Sequence, residues 1–133
     1  MVKANDIQHG GTHYKKAKYQ HWDLIAENRI GYLEGCGSKY VSRWRDKNGV
    51  EDLQKGMHYT DKLIECYYQY DYRATGHTPQ SCLNLFFEEN QITNVNEIEA
   101  ITILCTWRTV AELEQAKHHI KLLILAAGSL TVG

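Results

Sequence analysis

Proline occurs once in this chain of 133 residues, at position 79. Proline removes a backbone donor and breaks helix interiors, so its near-absence leaves long helices open to almost the whole chain. No stretch shows the strict apolar–polar alternation of half-buried strands. The chain therefore reads as all-α. The lone proline sits in Gly76-His77-Thr78-Pro79, the clearest internal boundary. Thr78 suits an N-cap, with Pro79 at the first helical position.

On either side of that boundary the apolar spacing predicts three helices. Before it they cover residues 22–28, 32–46 and 50–72, after an N-terminal arm over 1–19. Beyond it they cover 80–89, 96–108 and 110–127, with a frayed tail over 128–133. Leu33, Cys36, Tyr40 and Trp44 mark the apolar side of the second helix. Gly35 and Gly37 cost that helix about 1 kcal/mol each relative to alanine. Their presence points to close helix approach or to backbone shown to a ligand. Lys47-Asn48-Gly49 reads as a turn. The third helix sets Leu53, Met57, Leu63, Ile64 and Tyr67 on its apolar side, with Glu51 and Asp52 at its positive end.

The length fits one domain with a real core. That domain divides into a ligand-binding half over 20–75 and a scaffolding half over 78–127. No apolar run approaches the roughly 20 residues that cross a bilayer. The start lacks the apolar run of a signal peptide. Cys36, Cys66, Cys82 and Cys105 are widely spaced and read as reduced core thiols. A net charge of −1 argues against dedicated nucleic-acid binding. The distribution is uneven: residues 1–77 carry twelve Lys/Arg against ten Asp/Glu, and residues 78–133 carry three against six. All nine tyrosines precede position 73. That aromatic surplus predicts a homo-oligomer.

A sparse repeat runs across the boundary. Glu27-Asn28-x-Ile30 matches Glu89-Asn90-x-Ile92, and Trp44-Arg45 matches Trp107-Arg108. Leu53, His58, Leu63 and Ile64 match Leu113, His118, Leu123 and Ile124. Chance among amphipathic helices gives such matches, and so do two copies of a helix–helix–long helix unit about a pseudo-twofold axis. In the second copy Thr102 and Thr106 stand where the first has Lys39 and Arg43.

The densest cationic cluster is Lys39, Tyr40, Arg43, Arg45 and Lys47. Lys39 and Arg43 share a helix face at four-residue spacing. Lys55, His58, Tyr59 and Lys62 recur at similar spacing on the next helix. Arginine suits bidentate phosphate contacts and lysine supplies a compact charge. Gly10-Gly11-Thr12-His13-Tyr14 offers backbone donors and a hydroxyl, as an anion-binding nest does. No Walker A or Rossmann spacing is present. His58, His118 and His119 lack the spacing of a metal site. Trp44 and Trp107 read as core anchors.

The Gly-Gly-x-His-Tyr start, the Lys-Tyr-x-x-Arg helix and the Gly-Val-Glu-Asp-Leu helix start together resemble a small family of bacteriophage proteins, over roughly residues 7–65. Most members have no assigned function. Some are labelled nucleotide kinase, by similarity to a nucleoside monophosphate kinase of short-tailed coliphages. The resemblance implies a nucleotide-binding protein in the cytoplasm of an infected bacterium. It also implies phosphoryl transfer to deoxynucleoside monophosphates, which would need ATP and Mg²⁺ held by carboxylates such as Glu51 or Asp52. Two other functions suit the same residues. One is a non-catalytic sponge that sequesters a nucleotide, such as a host antiviral signalling nucleotide. The other is a regulator that binds a host protein through its tyrosine-rich face.

Overall fold

In the computed structural model the described residues form six α-helices. They are α1 (His21–Glu27), α2 (Tyr32–Arg43), α3 (Val50–Tyr70), α4 (Gln80–Glu89), α5 (Val95–Thr106) and α6 (Val110–Val132). Residues 3–4, 17–74 and 76–132 are described, with backbone alone beyond residue 128. No strand occurs among them, and no helix is long and apolar enough to cross a membrane. α2 packs on α3 and α5 on α6, while α3 meets α6, α2 meets α5 and α1 meets α4.

α1, α3 and α5 begin and end within two residues of expectation, and three other features differ for a visible reason. α2 stops at Arg43 because the next residues turn: the Asp46 N–H bonds the Arg43 carbonyl (3.1 Å) and the Gly49 N–H bonds the Trp44 carbonyl (2.9 Å). Gly49 takes φ +62°, a conformation that favours glycine. Pro79, rather than Thr78, is the N-cap of α4. Thr78 is instead buried, and its hydroxyl donates to the Cys105 carbonyl at 3.0 Å. α6 continues to Val132 instead of ending near 127. A single glycine at 128 costs too little to end a long helix.

The buried face of α2 also lies one residue round from the apolar series. Glu34, Gly35, Gly37, Ser38 and Val41 are buried, whereas Leu33, Cys36 and Tyr40 are half-buried. Close approach explains the exchange. A Cβ on Gly37 would lie 3.4 Å from Leu104 Cδ1 and 3.5 Å from Tyr59 Cβ. A Cβ on Gly56 of α3 would lie 2.9 Å from Val41 Cγ2. At Gly56, α2 and α3 pack too tightly for a side chain unless Val41 shifts, whereas the Gly37 distances, to α5 and α3, are ordinary van der Waals contacts.

The two halves repeat one another in detail. Each is a short helix, a 12-residue helix and a long helix. The turns after α1 and α4 are built identically. Asn28 Nδ2 donates to the Leu24 carbonyl and Asn90 Nδ2 to the Phe86 carbonyl, both at 2.9 Å. The next residues, Arg29 and Gln91, take φ 52° and 55°. The Ile30 N–H then reaches the Ile25 carbonyl at 3.0 Å, and the Ile92 N–H reaches Phe87 at 2.9 Å.

Across the centre the repeat becomes reciprocal. Trp44 Nε1 donates to Glu97 Oε1 at 3.0 Å, and Trp107 Nε1 donates to Glu34 Oε2 at 2.9 Å. Each half's tryptophan holds the other half's buried glutamate. A chance likeness between amphipathic helices does not produce crosswise bonds between equivalent residues; a pseudo-twofold arrangement does.

Candidate functional site

The cationic end of α2 opens on a cleft of about 260 Å³ between α1, α2 and α4. Lys39, Ser42 and Arg43 of α2 and Lys47 of the following turn line one side. Gln20, His21 and Trp22 line another, and Phe86 and Asn90 of α4 close the third. Of the expected cluster, Lys39, Arg43 and Lys47 therefore come together here. α4 belongs to the half expected to act as scaffold, so both halves build the cleft.

Arg43 is held from two directions. Its guanidinium lies over the Tyr40 ring, 4.8 Å from the centroid. Its Nε is 3.5 Å from Asp52 Oδ2, an ion pair rather than an aligned hydrogen bond. Asp52 is fully buried and also accepts the Asn48 N–H at 3.2 Å and Asn48 Nδ2 at 3.4 Å. At the equivalent place in the second half, Glu112 caps Arg108 and Thr109 at the surface. A surface carboxylate thus suffices to cap this turn. The buried one in the first half does the additional work of fixing an arginine.

His21, half-buried at the start of α1, lines the cleft. The Ser38 hydroxyl donates to the Gly35 carbonyl at 3.2 Å and so accepts from His21 Nε2 at 2.8 Å. This network puts the imidazole proton on Nε2 and leaves Nδ1 as an acceptor. Burial, reinforced by the charge of Lys39, holds its pKa down to about 4. The ring is therefore neutral near pH 7, and the cleft's positive charge comes from Lys39, Arg43 and Lys47. Trp22 keeps 53% of its surface exposed beside them.

The other expected residues stand apart from this cleft. Tyr40 lies under the cations, with Lys39 Nζ 4.8 Å and Lys55 Nζ 5.3 Å from its ring, and it stacks on Tyr59 (5.9 Å, 21°). Lys39, Arg43 and Lys55 thus meet on one ring, and Arg43 also reaches Asp52 of α3. Lys55 pairs with Glu51, Lys62 pairs with Glu65, and His58 is exposed. Arg45 turns away, bonding Glu97 at 2.6 Å and lying over the Trp44 ring. Glu51 faces solvent while Asp52 is enclosed, so the two do not form a joint magnesium site. Gly10, Gly11, Thr12, His13 and Tyr14 fall outside the described residues.

Gln20, His21, Trp22, Ser42, Phe86 and Asn90 lie outside the expected set. Trp22 carried a usable signal, because it sits out of phase with buried Leu24 on its short helix. Phe86 and Asn90 carried none, since one reads as core and the other as a helix C-cap.

The opposite side of the pseudo-twofold is an internal control. Thr102 and Thr106 replace Lys39 and Arg43, and Thr106 Oγ1 bonds the Thr102 carbonyl at 2.7 Å. Leu83 replaces His21, and Ile101 replaces Ser38. The polar equipment exists on one side only. Compared with known proteins, the chain matches no family model, no curated protein and no solved structure.

Proposed function

We propose that this protein binds a phosphorylated nucleoside in the cleft between α1, α2 and α4. The phosphate lies against Lys39, Arg43 and Lys47, and the base lies against Trp22. The observation that carries this reading is the convergence of three cations and an exposed tryptophan on one cleft, where the equivalent surface of the other half is neutral. Clamping by Asp52 and Tyr40 pre-organises the Arg43 fork for a planar or tetrahedral oxyanion. The resemblance to phage proteins labelled nucleotide kinase supports the same ligand class and a role in the cytoplasm of an infected bacterium.

Capture is better supported than phosphoryl transfer. The three cations converge on one cleft of about 260 Å³, and the adjoining surface carries Asp46 and Glu97, which disfavour the phosphates of a second nucleotide. Of the carboxylates expected to hold Mg²⁺, Glu51 faces solvent and Asp52 is buried against Arg43. Mass spectrometry of small molecules released from purified protein, followed by incubation with ATP and monophosphates, tests both parts. Recovery of an unchanged nucleotide supports capture, and a new phosphorylated product supports the kinase. Self-association belongs to the same proposal: Tyr32, Tyr68 and Tyr70 remain largely exposed. A monomeric mass by light scattering at micromolar concentration refutes that part.

A further inference from the structure

A second cleft, of about 510 Å³, adjoins the first and shares Ser42 and Asn90 with it. Its floor is Arg45 and Glu97, and its far side is the turn from α4 to α5 with Gln91, Thr93 and Asn94. The pseudo-twofold shows that this opening is not imposed by the fold. The equivalent space beside Glu34 has shrunk to about 10 Å³, lined by Ala74 and Gly76 of the connection between α3 and α4. There Tyr72 also fills the site, its hydroxyl 2.9 Å from Glu34 Oε1.

The two clefts differ in charge. In the second, Arg45 pairs with Glu97 and Asp46 adds a further carboxylate, whereas in the first the Arg43–Asp52 pair is joined by Lys39 and Lys47. A second phosphate is repelled there, whereas uncharged polar groups are not. The shared wall has a definite hydrogen-bonding sense. Ser42 Oγ donates its only proton to the Lys39 carbonyl at 2.8 Å. Asn90 Nδ2 donates both of its protons, to the Tyr19 carbonyl at 2.8 Å and the Phe86 carbonyl at 2.9 Å. What these residues retain is acceptor oxygen. Anything crossing the wall must bring O–H or N–H donors.

Resting on the reading of the first cleft as a nucleotide site, we infer that the second holds an uncharged, hydroxyl-bearing unit joined to that nucleotide through its phosphate. The ligand class is a nucleotide sugar. The base and phosphate occupy the first cleft, and the sugar crosses Ser42 and Asn90 into the second.

Titration calorimetry of UDP-glucose against UDP, and of ADP-ribose against ADP, tests this, with inorganic phosphate as a probe of the first cleft alone. The sugar-bearing member of at least one pair should bind about tenfold more tightly, the gain expected from one or two net hydrogen bonds. Thr93→Trp, an exposed turn position facing the second cleft, should bring that ratio to about one. Ser42→Ala should lower it in a variant with no added bulk. Equal affinities within both pairs, or ratios unmoved by either substitution, overturn the second subsite and leave the nucleotide reading standing. Failure of nucleotides and phosphate alike to bind overturns both.

Discussion

The crosswise tryptophan–glutamate bonds predict an unequal pair of mutational costs. Trp107→Phe removes the indole N–H from Glu34 and leaves that buried carboxylate, among the described residues, with the Tyr72 hydroxyl. Loss of a hydrogen bond to a charged group costs about 1.5–3 kcal/mol. Trp107 is fully buried, so shrinking the ring adds a cavity cost of about 1–2 kcal/mol. The sum is about 2.5–5 kcal/mol, a large share of the stability of a typical domain. Trp44→Phe is the equivalent change, but Glu97 keeps the Arg45 guanidinium at 2.6 Å. Its cost should be about 1–3 kcal/mol. Urea denaturation at neutral pH with matched m-values measures both. A double-mutant cycle of Trp107→Phe with Glu34→Gln should give a coupling of about 1 kcal/mol or more. Equal losses for the two tryptophans, or strictly additive effects in the cycle, refute this reasoning.

Stability should fall on acidification through His21. Its folded pKa of about 4 lies below the unfolded value of about 6.5, so the unfolded chain binds more protons between them. The contribution is complete above that window and declines as pH drops towards 4, by at most about 3 kcal/mol. Thermal melts of His21→Gln should show a flatter pH profile, and an unchanged slope counts against the assignment. Gly56→Ala should destabilise by about 1–3 kcal/mol despite alanine's better helix propensity, because the new Cβ meets Val41 Cγ2 at 2.9 Å. A stabilised variant in denaturant melts would show that the α2–α3 crossing relaxes freely. Arg43→Ala should weaken nucleotide binding by about 1.5–3 kcal/mol in calorimetry while Arg108→Ala leaves it nearly unchanged. Equal losses at the two positions remove the case for the first cleft.

Helix number and order were legible because period and punctuation agree: one breaker cluster, two turns with asparagine, and apolar residues at helical spacing. The face of α2 was not, because glycine, serine and glutamate fill its buried positions and none of them registers as apolar. Glu34 and Glu97 stand at the same offset as Trp44 and Trp107. The sequence therefore held the reciprocal pair, but nothing in it marks two glutamates as buried. The cations of the first cleft were visible as neighbours along one helix. Its walls were not, since Phe86 and Asn90 reach it only through the packing of α4 against α1.

Joining two equivalent halves in one chain has a consequence for how such a site can change. In a symmetric dimer of identical subunits, every substitution appears twice, so a gain at one cleft is forced upon its twin. Here the halves are separate stretches of one polypeptide. Lysine and arginine stand on one side and threonines on the other, while the central Trp44–Glu97 and Trp107–Glu34 bonds stay matched. Covalent linkage frees the periphery to become asymmetric as the centre remains symmetric. It also allows the space beside Glu34 to be filled by the chain's own connection while the space beside Glu97 stays open.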